Sequence, residues 1–255
     1  MTAADAVLDP DDGQAFAATV APYVSSLGGG FMISSQAKAM AKELGLRGRQ
    51  GYVIGRGGVL GDVDADVVTA AFGFWPADVV RESWEAARVA VQPSVAAQRY
   101  AEACRDWGRE HYAGMAADAR ARLAELLGWV VDGCDVAGLP LFAGWRAIEL
   151  PRDDAGRLAQ LLHVHREYRG GAHVLAVVAT GLTPLQSVLS GKGGPGNATF
   201  FGWPEPYEDV SALGSLRAQA EALTDQLVAP SYDVLGRDER LELLDLLAVA
   251  THAAT

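Results

Sequence analysis

The sequence predicts a mainly α-helical protein built as two helical halves, on three observations. Ala-rich stretches carrying Leu, Arg and Glu favour helix along most of the chain. Runs of alternating β-branched residues, the mark of half-buried strands, are few. Capping residues and prolines punctuate the chain at helix-sized intervals. With 255 residues, half of them hydrophobic, the chain can bury a real core and does not read as disordered.

Residues 11–27 read as a first helix, ended by Gly28-Gly29-Gly30. A second runs from Ser34 to Leu44 with Gly45 as its cap. A Gly-rich stretch, Gly48 to Gly61, follows. Asp62 or Asp64 caps a helix over Ala65–Phe72, and Pro76 opens the next, through Val91. Pro93 and Ser94 start another that continues to Leu127 with breaks at Gly108 and Gly114. The Gly/Pro-containing segment 131–151 is a connector, dividing residues 1–130 from 152–255. Asp153 and Asp154 offer a cap for a helix over Ala155–Arg169, interrupted by Gly170-Gly171, with a short helix over His173–Thr180 beyond. Gly181-Leu182-Thr183-Pro184 is a tight turn, with Thr183 as N-cap and Pro184 opening the helix Leu185–Leu189. Two short helices joined by such a turn resemble a helix-turn-helix unit. Gly191–Asn197 reads as a flexible loop, Ala198–Trp203 as one short strand, and Val210–Val228 and Asp238–Ala250 as the closing helices.

The formal charge is −11, which lowers the expectation of a duplex-DNA binder, since such a protein needs a basic face. The acidic runs Asp5–Asp12 and Asp238–Asp245 read as solvated surface. Cys104 and Cys134 have neither zinc-site nor disulfide-framework spacing, and are expected as reduced core residues. The N-terminal Met1–Asp5 shows no charged segment followed by an apolar one, and no apolar run reaches the roughly 18 residues of a spanning helix. A cytoplasmic protein without a membrane partner is the expectation.

The densest polar stretch is His163-Val-His165-Arg166-Glu167-Tyr168-Arg169-Gly-Gly-Ala-His173, which holds three of the five histidines. On a helix His163 and His165 lie about 200° apart and cannot chelate one metal together. His165 and Arg169 share a face at i,i+4, Arg166 lies beside Arg169, and His173 joins them if the backbone bends at Gly170-Gly171. Two guanidiniums and an imidazole converging on one spot suit an anion. The bland alternative is a structural Arg166–Glu167 ion pair with His173 as a cap or core residue. The second candidate is Tyr52-Val-Ile-Gly-Arg56-Gly-Gly, where Arg56 adds a third cation and Tyr52 a hydroxyl. It matches neither phosphate-loop nor dinucleotide spacing, and its alternative is a Gly-mediated helix contact with an exposed arginine. Lys192 in the glycine loop is a weak phosphate cradle. Phe72, Phe74 and Trp75 read as core; Phe200, Phe201 and Trp203 fit core or pocket wall equally. Ser34, Ser35 and Ser187 lack a nucleophile-elbow context.

The chain resembles a family of actinobacterial helix-turn-helix-like proteins. The resemblance rests on Leu44-Gly-Leu-Arg-Gly48, Tyr52 with Gly55-Arg56, Leu60 to Phe72, Gly138 with Pro140 to Ala143, and Arg166-Glu-Tyr-Arg-Gly170 with His173 to Ala176 and Gly181-Leu182, across about residues 40 to 185. It implies an all-helical body whose C-terminal half is winged-helix-like. After Leu189 the chain departs from that pattern: the glycine loop and Phe200–Pro206 stand where the family carries an arginine-bearing wing. The wing is degraded, which counts against nucleic-acid binding. A further similarity, to proteins linked to aziridine (azabicycle) formation in azinomycin-type pathways, implies a cofactor-free ring closure that expels an anionic leaving group.

Three functions remain. The first is a cyclase-type enzyme of natural-product metabolism acting on a small anionic metabolite without a cofactor or metal: Arg56, Arg166 and Arg169 hold the anion, His173 or His165 takes the proton, and Tyr52 and Glu167 orient. The second is a transcriptional regulator or small-molecule sensor using the same pocket for an effector. The third is a subunit of a homo-oligomer or of a heteromer with a related chain.

Overall fold

A computed structural model of the chain describes residues 9–253. Asp5 and the rest of Met1–Leu8, read above as acidic surface and as lacking a leader, lie outside that range. Asp12 caps α1 (Gly13–Gly29) by accepting the Ala15 N–H. The α-helix ends within Gly28-Gly29-Gly30, as the sequence predicts, with Gly30 as a right-handed C-cap that passes into a 3-10 turn, Gly30–Ile33. These glycines serve packing. A Cβ on Gly28 would lie 2.5 Å from the carbonyl oxygen of Leu162. Gly28→Ala should therefore force two helices apart and cost about 1–3 kcal/mol in urea unfolding, with an unchanged m-value.

Ser34 caps α2 (Ser35–Glu43). The Gly-rich stretch then folds as α3 (Gln50–Gly57). Its glycines are contact points: a Cβ on Gly55 would fall 2.7 Å from the Tyr100 ring, and one on Gly58 2.0 Å from the Pro93 carbonyl oxygen. α4 (Ala65–Phe72) and α5 (Ala77–Ala90) follow as expected. α6 (Pro93–His111) runs unbroken through Gly108, which sits where the helix passes within 2.4 Å, by a hypothetical Cβ, of Ala159. α7 (Ala117–Asp132) comes next, and the 131–151 segment holds a helix of its own, α8 (Pro140–Arg146). Phe142 and Trp145 of α8 are fully buried in the main hydrophobic cluster, which draws on residues from both sides of that segment.

α9 (Asp154–Ala179) is the centre of the fold, packed against α1, α6, α7 and α8. It is continuous through Gly170-Gly171, where a break was expected. Two helical glycines cost about 1 kcal/mol each, and a helix buried on most sides offsets that readily. Gly171 is also required there, since a Cβ would lie 2.7 Å from Leu139. The turn Thr180–Thr183 leads to α10 (Pro184–Ser190), with Gly181 at φ 80° and a Thr183–Gln186 capping box. α9 and α10 meet at 109°, within the range of a helix-turn-helix pair.

The region after α10 corrects the sequence reading. The loop shrinks to Gly191–Gly193, and the expected strand Ala198–Trp203 is mostly helix, α11 (Gly194–Phe201). No strand occurs among the described residues, so they contain no wing, degraded or otherwise. The body is mainly α, and α12 (Gly214–Val228) and α13 (Arg237–His252) complete it. α12 lies along α9 and α1. Contrary to the sequence reading, one stretch, Gly13–Glu43, is long and apolar enough for a membrane span by length and composition. Its residues Phe16, Val20, Val24 and Leu27 are buried in the protein's own core.

Candidate functional site

An arginine on α3 and a glutamate on α9, 111 residues apart, form the polar centre of the molecule. Arg56 donates through Nε and Nη2 to the two oxygens of Glu167, each at 2.8 Å, in a fork-to-fork pair. Arg56 is 7% exposed and Glu167 1%. Burial works against both charges, but the partner's charge and the paired hydrogen bonds outweigh it. Glu167 is held down at about 2, while Arg56 is raised beyond its ordinary value. The guanidinium lies flat over Phe72, 4.6 Å from the ring centroid, and donates to the Tyr52 hydroxyl at 3.3 Å. Arg166 adds a third hydrogen bond to Glu167, 3.0 Å from Nη1 to Oε1. His163, one turn before Glu167, is edge-on to Trp145 and Phe31. Burial, with the two arginines, depresses it to about 3, so it is neutral despite Glu167.

This ion cluster forms the foot of a cleft of about 400 Å³. Arg56, Arg166 and Tyr52 line it, as do Gly29 and Gly30 on one side and Phe72, Phe74 and Trp75 on the other. Two arginines against one carboxylate leave a net positive charge at the foot. Arg166 carries it outward: its side chain is 28% exposed, and among the described residues its only hydrogen-bond partner is Glu167. The Gly28–Gly30 run matters again here, because a Cβ on Gly29 would sit 3.2 Å from Arg166 Nε. Gly73, at φ 75°, turns the chain between α4 and α5 and sets Phe74 and Trp75 over the cleft. Trp75 stacks on Tyr52 at 5.1 Å and contacts Phe201 at 5.0 Å. Arg49 holds α11 in place by donating to the Phe200 carbonyl at 2.9 Å, so Phe200 and Phe201 close the upper wall. Gly170 borders the cleft with no atom within 4 Å of a hypothetical Cβ, so its lack of a side chain keeps the space open.

The structure therefore joins Arg56, Arg166, Glu167 and Tyr52, but not Arg169, His165 or His173. Arg169 turns to α12 and pairs with Asp225 at 3.0 Å and Glu221 at 3.4 Å. His165 is wholly buried between Tyr168 and Tyr232, with no hydrogen bond to either ring nitrogen, and burial pushes it down to about 4. It does not line the cleft and cannot serve as its proton acceptor. His173 Nδ1 lies 2.8 Å from the Thr224 hydroxyl on α12, and the ring lines a different cavity. The convergence expected of three arginines and a histidine is thus corrected to two arginines and a glutamate.

Sequence reasoning leaves Phe200 and Phe201 open between core and pocket wall and misses Phe72, Phe74 and Trp75 as wall. Phe72 and Trp75 are core residues, as expected, whereas Phe74, expected there too, is only partly buried, and all three rings line the cleft. The signal available was their placement after Gly73 beside a second aromatic cluster, Phe200-Phe201. A rival depression lies between α7 and the start of α9, lined by Arg122, Trp129, Arg157 and the carboxylates Asp118, Glu125, Asp132 and Asp154; Arg122 is committed to Glu125 and Glu242. Cys104 and Cys134 are buried, and burial raises both thiols, Cys134 to about 12, so neither is a nucleophile. Among the described residues no group of three His, Cys, Asp or Glu is arranged to hold a metal ion.

The α9–α10 angle and the all-helical body define a helix-turn-helix class of protein. A helix-turn-helix family model matches residues 17–212, most of the chain, and the protein belongs to that family. No curated protein and no solved structure matches it.

Proposed function

We propose that the cleft binds a small organic anion with a flat apolar body, and that the protein is a small-molecule enzyme of natural-product metabolism rather than a DNA-binding regulator. The observation that carries this reading is Arg166, a cation with unused N–H donors at the foot of an aromatic cleft. The rings supply stacking area, and the arginine supplies charge-assisted hydrogen bonds to the anionic end. The Arg56–Glu167 pair lies behind Arg166 and fixes it.

The chemistry that suits this site is a ring closure that releases an anion. A substrate amine forms the new C–N bond with its lone pair. The C–O bond to the leaving group breaks with its electron pair, and the departing anion is stabilised by Arg166. Neither His165 nor His173 lines this cleft, and Glu167 is held low and tied to Arg56. The nitrogen's proton therefore goes to water through the open mouth, and no organic cofactor takes part.

The regulator reading draws on the helix-turn-helix geometry of α9 and α10. Against it, α10 carries no Lys or Arg, and its residues Ser187, Val188 and Leu189 are buried. A recognition helix needs exposed side chains and phosphate contacts.

The test uses an aromatic sulfonate, 1-anilino-8-naphthalenesulfonate, titrated by fluorescence. Arg166→Ala should weaken binding about tenfold, the loss of a charge-assisted hydrogen bond. Gly170→Leu should block the cleft and abolish binding while leaving the charges in place, and it replaces a poor helix former with a good one. Unchanged binding in both variants, with thermal midpoints preserved, would overturn the reading.

A further inference from the structure

Phe74 and Phe201 line not only the aromatic cleft but also a second cavity of about 180 Å³, bounded by α9, α10, α11 and α12. In a chain with 32 acidic and 21 basic residues, none of this cavity's lining residues is Asp or Glu. Three are basic: His173, Lys192 and Arg217. The volume is that of roughly six waters, room for one tetrahedral oxyanion.

The walls are prearranged. Arg217 Nη1 donates to the Ser187 carbonyl at 2.9 Å and to its hydroxyl at 3.1 Å, while Nη2 pairs with Glu221. Lys192 is exposed and has no carboxylate partner. A Cβ on Gly193 would fall 2.1 Å from Asn197 Nδ2, so the amide lies over the loop in space that only glycine leaves. Behind the wall Arg169 and Arg217 balance Glu221 and Asp225. Lys192 remains as an uncompensated charge.

His173 adds chemical selectivity. The Thr224 hydroxyl donates its one proton to the Ala220 carbonyl at 2.6 Å. Its contact with His173 Nδ1, at 2.8 Å, therefore requires an Nδ1–H donor. In the neutral ring this leaves Nε2 as a bare acceptor with no partner in the protein. An acceptor in an anion site favours an oxyanion that carries a proton. Hydrogen phosphate has an O–H to give; sulfate has none, and its oxygens would face a lone pair.

We propose that this cavity is a phosphate site, separate from the aromatic cleft. Lys192, Arg217 and the Asn197 amide bind the oxygens of a phosphate group, free or at the end of an ester, and His173 Nε2 accepts its O–H. The site stands whether or not the cleft binds an organic anion, because Arg166 takes no part in it.

Amide NMR titrations of the full chain with inorganic phosphate, phenyl phosphate and sulfate test the proposal. Phosphate should saturably shift the Gly191, Lys192 and Gly193 amides, and sulfate should bind markedly more weakly. A tighter fit for phenyl phosphate identifies an ester terminus; equal affinity identifies free phosphate. Lys192→Ala should lose about tenfold in affinity, Asn197→Asp should abolish binding, and Arg166→Ala should leave the titration unchanged. Both altered positions are exposed, so the fold tolerates them. The proposal is overturned if those amides do not shift, if both variants bind phosphate like the parent, or if sulfate binds as tightly as phosphate.

Discussion

Glu167→Gln should lower the unfolding free energy by about 3–5 kcal/mol, because it leaves a buried guanidinium without its counter-charge. Arg56 is 7% exposed, and both of its short hydrogen bonds at 2.8 Å end on Glu167. Glutamine keeps the volume but presents one amide oxygen and an NH2 group that faces another donor. Arg56 has no other carboxylate within reach, and Arg166 loses its partner as well. The second half of the test is the double replacement Arg56→Met with Glu167→Leu. Apolar side chains of similar size beside Phe72 and Tyr52 should recover most of the loss, as buried ion pairs commonly match hydrophobic packing in stability. Urea unfolding of the parent, the single and the double variant measures both. A single variant within about 1 kcal/mol of the parent would mean that water reaches Arg56 and screens it as at a surface.

That buried pair also shows what the sequence could and could not convey. Arg56 stands out in the sequence as a third cation in a glycine-rich run and Glu167 as a carboxylate able to orient an arginine, but nothing local to either pairs the two across 111 residues. The sequence reading brings His173 into the group through a bend at Gly170-Gly171, and the structure has none there. Glycine pairs lower helix propensity, but burial of α9 on several sides overrides it. In an unbroken helix, residues 163, 167, 170 and 174 fall on one face at i, i+4, i+7 and i+11, and that face meets the cleft. His165 and Arg169 lie about 120–200° away from it, where Tyr232 and α12 receive them. His173 sits two turns beyond Arg166 and meets Thr224 instead. The α10 start was legible because its signal is local: Thr183 and Pro184 act within one turn. The aromatic wall was not legible, since a ring that packs on one face and lines a cleft on the other has the sequence signature of core.

Acid should destabilise the protein from about pH 6.5 downward, and three histidines that burial holds neutral, His163, His165 and His173, are the cause. Burial first, then Arg169, brings His165 from an ordinary value of 6.5 to about 4. Burial first, then Arg166 and Arg56 against an opposing Glu167, brings His163 to about 3. Between those values and 6.5 the unfolded chain binds protons that the folded chain does not. Stability therefore rises with pH in that window: it is full above about pH 6.5, falls as pH drops, and levels off below the folded-state values. Across the window His165 contributes on the order of 3 kcal/mol and His163 on the order of 5 kcal/mol. Glu167 acts lower down, because its folded value of about 2 lies under its ordinary 4.5. Its contribution is present above pH 4.5 and is lost as pH falls through 2. His165→Phe separates the terms. The ring sits between Tyr168 and Tyr232 with both nitrogens unsatisfied, so phenylalanine gives up no hydrogen bond. The variant should be at least as stable as the parent at pH 7, and its stability should fall about one-third less steeply between pH 6.5 and 4. Urea midpoints taken at half-unit pH steps measure the slope. An identical slope in the two proteins would mean that His165 finds a proton-stabilising partner in the folded state, and the acid sensitivity would then belong to His163, His173 and the surface carboxylates.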